Sequence, residues 1–534
     1  MKITFIGAAH EVTGSSTLLE LNGKYYMVDH GMKQGMDTFE TAPLPVSPKE
    51  IEAVFLTHAH IDHSGMLPKL YKDGFRGGIY ATEATCNLCN IMLKDSAHIQ
   101  MSEAEWKNRK AERAGEGPYE PIYDLDDAIG AISLFHSCAY DKQYQIAEGV
   151  IIRFTDVGHL LGSACIEIWM VEDGISKKIV FSGDVGNTNQ PIIKDPQTPE
   201  ETDYLVVEST YGNRLHEKPK DTIEELSEYL QRAFDRGGSV IIPAFAVGRT
   251  QELLYALREI KQKGLISGHD GFPVYVDSPL AEEATAVFMQ CDTSCFDDET
   301  RSLIAQGINP IWFDDIRLSV TADDSKRINL DTRNKVILSA SGMCEAGRIR
   351  HHLKHNLWKK ENIILFAGYQ AVGSLGRIIL DGVDNVRLFG ENIAVKAEIC
   401  SLHGISGHAD RQGLINWISA FRKKPDFIFV NHGDEQSSED FKNLLVSDYR
   451  YNATSPFSGT EFDLKTGKAT VLTEGIKIDR NQAAKGRSRA QEIYATLVDT
   501  ANELLRIVKG SKGMSNKELA KFTDQIRGLI EKWK

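Results

Sequence analysis

The sequence predicts an α/β protein of several domains, on three observations. Strand-like alternation fills residues 1–30, buried strands alternate with helices through 210–395, and strands return in 396–472. A chain of 534 residues has room for about two to four domains.

Taken in order, Ile3–Ile6, Ser16–Leu21 and Lys24–Asp29 alternate as strands, with glycines at 7, 14, 23 and 31 between them. Further strands are expected at 53–57, 78–81, 150–155, 164–171 and 178–182, helices at 64–73 and 83–113, and a loop at 114–128. The texture then changes. A helix over 220–236 opens with Asp221 and Glu224 in capping-box spacing. Segments 239–244, 274–277, 336–339 and 363–366 read as strands with apolar, non-alternating cores, and helices are expected at 250–263 and 281–306. That alternation predicts a parallel sheet covered by helices. The expected division is 1–209 and 396–472 as one domain, 210–395 as an insertion, and 473–534 as a basic linker (480–489) and helical tail. In the tail Ile493, Leu497, Ala501, Leu504, Leu505 and Val508 recur at helical spacing, which suits a dimerising or docking face.

Composition excludes several classes. No apolar stretch approaches the roughly 20 residues that span a bilayer, and the first residues show no signal-peptide core. The 8 cysteines are too sparse for a disulfide framework, so a cytoplasmic protein is expected. Cys86/Cys89 and Cys291/Cys295 read as half-buried helix cysteines. The net charge of −14 argues against nucleic-acid binding over the whole surface. The charge is uneven, however. Residues 477–534 carry 13 Lys and Arg against 7 Asp and Glu, a net +6 that leaves −20 on residues 1–476. An acidic body can still bind RNA through a local basic channel.

The chemistry starts at His58-Ala59-His60-Ile61-Asp62-His63, directly after the apolar run 53–56. In an extended segment His58 and His60 point to one side, and Asp62 and His63 address a second point nearby. Imidazole with carboxylate suits zinc or a related divalent metal. Three strand-end residues extend the set: His159 between Gly158 and Gly162, Asp184 between Gly183 and Gly186, and His432 after Val430-Asn431. One ion would take His58, His60 and His159, and the other Asp62, His63 and His432, with Asp184 bridging. Asp29, which ends the third strand, is placed behind a ligand histidine.

The ordered set Asp29, His58–His63, His159, Asp184 and a late His resembles the metallo-β-lactamase superfamily. Glu208 in Val-Val-Glu-Ser-Thr-Tyr-Gly, His408 in Ser-Gly-His-Ala-Asp, and His432 resemble the extra motifs of its β-CASP nucleases, in the form typical of RNA-directed members. Supporting segments are 243–252, 277–281, 342–348, 368–370 and 373–377, and the likeness spans about 1–470. One departure is His30, where members often carry Cys. The resemblance implies an αββα sandwich with a dinuclear site, capped by an inserted α/β β-CASP domain. It implies a zinc-dependent ribonuclease using two Zn²⁺ per chain, with Mn²⁺ as the alternative metal. The reaction implied is phosphodiester hydrolysis by a two-metal hydroxide mechanism, endonucleolytic with 5′→3′ exonuclease action open. Asp184 and Asp62 would act through the metals, and His408 paired with Glu208 would be the proton donor. Arg249, Arg348 and Arg377, each after a glycine in the insertion, and Ser406 are candidate RNA phosphate contacts. The absence of a Walker A sequence argues against a nucleotide cofactor. The competing reading is a thioester or lactone hydrolase on the same scaffold, which needs neither the cap nor the Glu208/His408 pair.

Overall fold

The computed structural model describes residues 1–478 other than 36–37, 115–116, 218–220 and 372. In the tail it describes 497, 500–501, 504, 507–508, 511 and 513–533. Met1–Gly475 forms one compact unit, and the residues from Ile476 a second.

Two mixed sheets build the first unit's sandwich. The first holds eight strands, in the order Lys468–Val471, Glu461–Asp463, Lys2–Gly7, Ser16–Leu21, Lys24–His30, Ile51–Phe55, Gly78–Thr82 and Phe135–Cys138. The second holds seven, in the order Ala453–Thr454, Phe427–Val430, Tyr204–Val207, Ile175–Phe181, Ala164–Glu172, Val150–Asp156 and Tyr144–Ala147. The return segment thus supplies strands to both sheets.

Side chains alternate across each strand, so each sheet has two faces to cover. Phe5, Leu19, Val28 and Phe55 of the first sheet meet Phe154, Ile166, Ile179, Phe181 and Phe429 of the second in the buried middle. The opposite faces take helices. Leu18, Met27, Val54 and Ile79 pack with Leu67, Leu70, Leu88 and Leu93. Val180, Leu205, Val207 and Ile428 pack with Leu414, Trp417, Phe441 and Leu445. The result is the four-layered αββα arrangement.

The insertion carries a third sheet of six strands, in the order Ile316–Leu318, Val274–Val276, Val336–Ser339, Val240–Pro243, Ile363–Phe366 and Glu398–Ser401. Every neighbouring pair is parallel. Ile241, Ile337 and Ile364 face Ile349 and Leu353, while Ile242, Leu338 and Leu365 face Leu226, Leu230, Leu253 and Leu257. Both faces are therefore apolar, and for that reason these strands do not alternate in sequence. The sixth strand lies past residue 395, so the inserted sheet extends to Ser401.

Three helical expectations change. The helix expected at 64–73 is two pieces, Ile61–Ser64 and Leu67–Lys72, the second restarting with proline in its first turn, where no N–H is needed. The loop expected over 114–128 gives way at Asp124, whose side chain caps the helix Leu125–Ile132. The helix expected at 281–306 splits. It ends at Cys291, with ψ at 148°, and Asp292 and Asp297 cap the short helices Thr293–Cys295 and Asp298–Ala305. Cys291 and Cys295 are half-buried but lie at this break rather than within one helix.

In the tail unit the linker 480–489, Ile493 and Leu505 lie outside the described residues. Leu497, Ala501 and Val508 are exposed, and the helix Asn516–Trp533 shows Leu529, Ile530 and Trp533 to solvent. Among the described residues no helix is long and apolar enough to cross a membrane.

Candidate metal centre and active site

The chemistry collects where strands of both sheets end. The His58–His63 loop follows Ile51–Phe55, with His60 just before and Asp62 and His63 within the short helix Ile61–Ser64. That helix is pressed against the end of the third strand. Met32 N–H donates to the Ile61 carbonyl and Ser15 N–H to the Asp62 carbonyl, both at 2.8 Å. A Cβ on Gly31 would stand 1.6 Å from the Asp62 oxygen, so only glycine permits this approach. The loops carrying His159 and Asp184 meet in the same way: a Cβ on Gly186 would lie 1.7 Å from the Gly158 oxygen. Asp29 and His432 both have positive φ, 58° and 50°, a conformation costly for non-glycine residues and found at functional sites.

Two groups of donor atoms form there. In the first, His58 Nε2 and His60 Nδ1 are 3.0 Å apart, and His60 Nδ1 and His159 Nε2 are 3.2 Å apart. Asp184 Oδ2 is 3.5 Å from both His58 Nε2 and His159 Nε2. In the second, His63 Nε2 is 3.0 Å from His432 Nε2, and Asp62 Oδ2 is 3.7 Å from the same atom. Asp184 Oδ1 is 3.3 Å from His63 Nε2. Asp184 thus offers one oxygen to each group, and its buried Oδ1 has no hydrogen-bond donor among the described residues.

These separations test the fit of a metal. Four ligands held tetrahedrally at 2.0–2.1 Å from one zinc lie about 3.3 Å apart, and the observed values bracket that. Imidazole nitrogens packed nitrogen to nitrogen are otherwise unfavourable, since each pair can share at most one proton. The residues present therefore fit divalent cations.

Electrostatics agree. Burial holds the imidazoles of His58, His60 and His159 below their ordinary range, so they are neutral and offer lone pairs. Burial opposes charge on His63 too, but Asp184 and Asp29 outweigh it and raise its pKa well above normal; the same carboxylates favour a cation there, which would displace that proton. Asp62 resists burial through His432 and His63 and sits at about 2. Asp29 Oδ2 accepts from His63 Nδ1 at 2.7 Å, which turns Nε2 inward, and Thr57 N–H and Oγ1–H fix the carboxylate at 2.8 and 2.9 Å.

Glu208 and His408 stand alongside. Glu208 Oε1 accepts Val185 N–H at 2.6 Å and faces His408 Nδ1 at 3.2 Å. One buried carboxylate thereby ties the Asp184 loop to His408. Burial pulls the His408 pKa down, but Glu208 and Asp184 prevail and raise it to about 9. Ser406 Oγ accepts the His408 N–H at 3.2 Å. His30, beside Asp29, lies 3.2 Å from Ser16 Oγ and is held neutral by burial, at about 4.

The candidate phosphate contacts are scattered. Arg249 opens the helix Arg249–Gln262, is paired with Glu252, and shares a cavity with Gln190, Asp195 and Ile405. Arg377 is half-exposed and reaches Asp381 at 2.6 Å. Arg348 departs from expectation. Its guanidinium donates to Asp277 Oδ1 at 2.8 Å and to the carbonyls of Ser319 and Val320 at 2.5 and 2.8 Å, so three of its five N–H groups are engaged inside the insertion. Sequence reasoning missed Thr57 and also Gln190, whose side-chain N–H₂ reaches the Gly158, Asn187 and Gly407 carbonyls. Only Thr57 had a signal, its place directly before His58.

Sandwich, donor groups and inserted parallel domain together define a metallo-hydrolase of the metallo-β-lactamase type. Three family models match the chain: Metallo-beta-lactamase superfamily over 11–130, Beta-Casp domain over 250–379, and Zn-dependent metallo-hydrolase RNA specificity domain over 392–456. The chain is 35% identical to the ribonuclease TTHA0252 of Thermus thermophilus over 449 residues, 84% of this chain and 96% of the relative. It is 30% identical to the transcription termination factor FttA of Methanosarcina mazei, over 83% of this chain and 69% of the relative, and 28% identical to the Pyrococcus abyssi FttA, over 85% and 70%. The chain belongs to the β-CASP family of the metallo-β-lactamase superfamily.

Proposed function

We propose that this chain is a zinc-dependent ribonuclease that hydrolyses RNA phosphodiesters with two metal ions per chain, Mn²⁺ being the alternative. The observation that carries this reading is Asp184, which gives one oxygen to each of two donor groups while His408 and Glu208 stand beside it. The RNA specificity domain match and the ribonuclease relative support RNA as substrate.

His58, His60 and His159 would hold one cation and Asp62, His63 and His432 the other, with Asp184 shared. Such cations, when bound, supply Lewis-acid activation of water and neutralise phosphoryl charge. The protein's part is positioning and proton transfer. Glu208 holds His408 Nδ1, leaving Nε2 to give its proton to the leaving oxygen, and the raised pKa keeps His408 protonated at neutral pH. Arg249, Arg377 and Ser406 are assigned to RNA phosphates; Arg348 supports the insertion from within.

Endonuclease action, with 5′→3′ exonuclease action in addition, is the assigned mode. The test is cleavage of a circular RNA beside linear 5′-monophosphate and 5′-triphosphate RNAs by the zinc-loaded protein. Cutting of the circle is the expected result; linear substrates cut with the circle intact would overturn it. The tail is assigned to self-association as a homodimer.

A further inference from the structure

The geometry points to a nucleobase-stacking site built from Arg214, Tyr211 and Tyr369, which takes one unpaired base of a single-stranded RNA beside the His408 proton donor. This rests on the ribonuclease reading above and names the state of the RNA that the site accepts.

The segment 211–216 is clamped to the His408 loop. His216 Nε2–H donates to the His408 carbonyl at 2.9 Å, His216 N–H to Asp410 Oδ2 at 3.0 Å, and Arg411 N–H to the Arg214 carbonyl at 3.0 Å. The Tyr211 ring lies 6.1 Å from the His408 ring. Anything stacked here is therefore held in fixed register with the proton donor.

Arg214 continues outward from Tyr211. Its guanidinium carbon is 4.6 Å from the Tyr211 ring centre and 5.8 Å from that of Tyr369. The two rings come from different parts of the fold. Tyr211 follows the strand Tyr204–Val207 of the sandwich, and Tyr369 follows Ile363–Phe366 of the inserted sheet. Among the described residues the Arg214 guanidinium has no carboxylate partner, so its charge stays available for phosphate.

Tyr369 is 52% exposed, which leaves ring surface open to solvent. Phe245, 44% exposed, follows Val240–Pro243, the parallel neighbour of the Tyr369 strand. Two exposed aromatic rings thus stand at the carboxyl ends of adjacent parallel strands, where α/β sheets bind ligands. A burial-driven fold has no use for them there. Rings beside a guanidinium with no carboxylate partner among the described residues match the stacking and phosphate contacts of single-stranded nucleic acid, and stacking tolerates any base. A base-paired strand could not offer its face to Tyr369.

The test is a walk of single abasic ribonucleotides through a short single-stranded RNA, reading kcat/KM for cleavage at one bond. The wild type should lose on the order of tenfold at one register and little elsewhere. Tyr369→Ala should cut the intact RNA about as poorly as the wild type cuts that abasic RNA, and should show no further loss on it. Tyr369→Trp should restore the register dependence. Arg214→Ala should weaken it, and thermal melts identify any variant that fails to fold. A wild type with no sensitive register, or a Tyr369→Ala variant that keeps the full dip, overturns the stacking site alone. A wild type that cuts no RNA overturns the ribonuclease reading and the stacking site with it.

Discussion

At the scale of single residues, Asp184 and His408 have separable duties. Asp184→Ala removes the carboxylate that gives one oxygen to each donor group, and metal content should fall below two per chain by elemental analysis. His408→Gln leaves both donor groups intact; metal content should hold while kcat falls by about 10²–10⁴, the usual contribution of a positioned proton donor. Asp156 offers a pH test away from the ligands. It accepts the Gly158 N–H at 2.9 Å, and burial, against that hydrogen bond and Lys194, raises its pKa to about 7 from an ordinary 3.8. The folded state thus holds a proton that the unfolded state releases. Stability from this group is present below about pH 4 and is lost as pH rises through about 7, by up to roughly 4 kcal/mol. Asp156→Asn keeps an acceptor for Gly158 and should remove that loss. Urea unfolding at pH 5 and pH 8 checks it: the variant should gain on the wild type at pH 8 more than at pH 5.

At the scale of elements, the centre is a meeting of loops that only glycine lets approach. The short helix Ile61–Ser64 touches the third strand's end at Gly31, where a Cβ would meet backbone, which cannot swing aside. Gly31→Ala should force the pair apart, cost about 1–3 kcal/mol or more, and lower metal affinity although no ligand is changed. A melting curve and a zinc titration read both effects. Elements also show where sequence periodicity fails. The run 281–306 has helical composition, yet Asp292 and Asp297 cap new helices inside it. An aspartate can sit on a helix surface or end a helix, and only its neighbours in space choose.

At the scale of the whole molecule, the tail stands as its own unit, with Leu529, Ile530 and Trp533 exposed on one helix. Deleting 480–534 should halve the mass seen by light scattering and leave the metal content of the remainder unchanged. An unaltered oligomeric mass would refute the homodimer assignment. Much else was legible in advance. The His58–His63 spacing, with His159, Asp184 and His432 at strand ends, announced the metal chemistry, because ligand chemistry needs particular side chains at particular short intervals. The inserted parallel sheet was legible too, since strands buried on both faces must be apolar throughout. The sequence alone thus determined the family and the candidate ligands. Tertiary structure decided what depends on distance between remote segments: that Arg348 reaches Asp277, that the inserted sheet runs to Ser401, and that Arg214 lies near two tyrosines over 150 residues apart in sequence. Side-chain partners are chosen by packing, and no local pattern encodes which of several arginines a buried carboxylate will take.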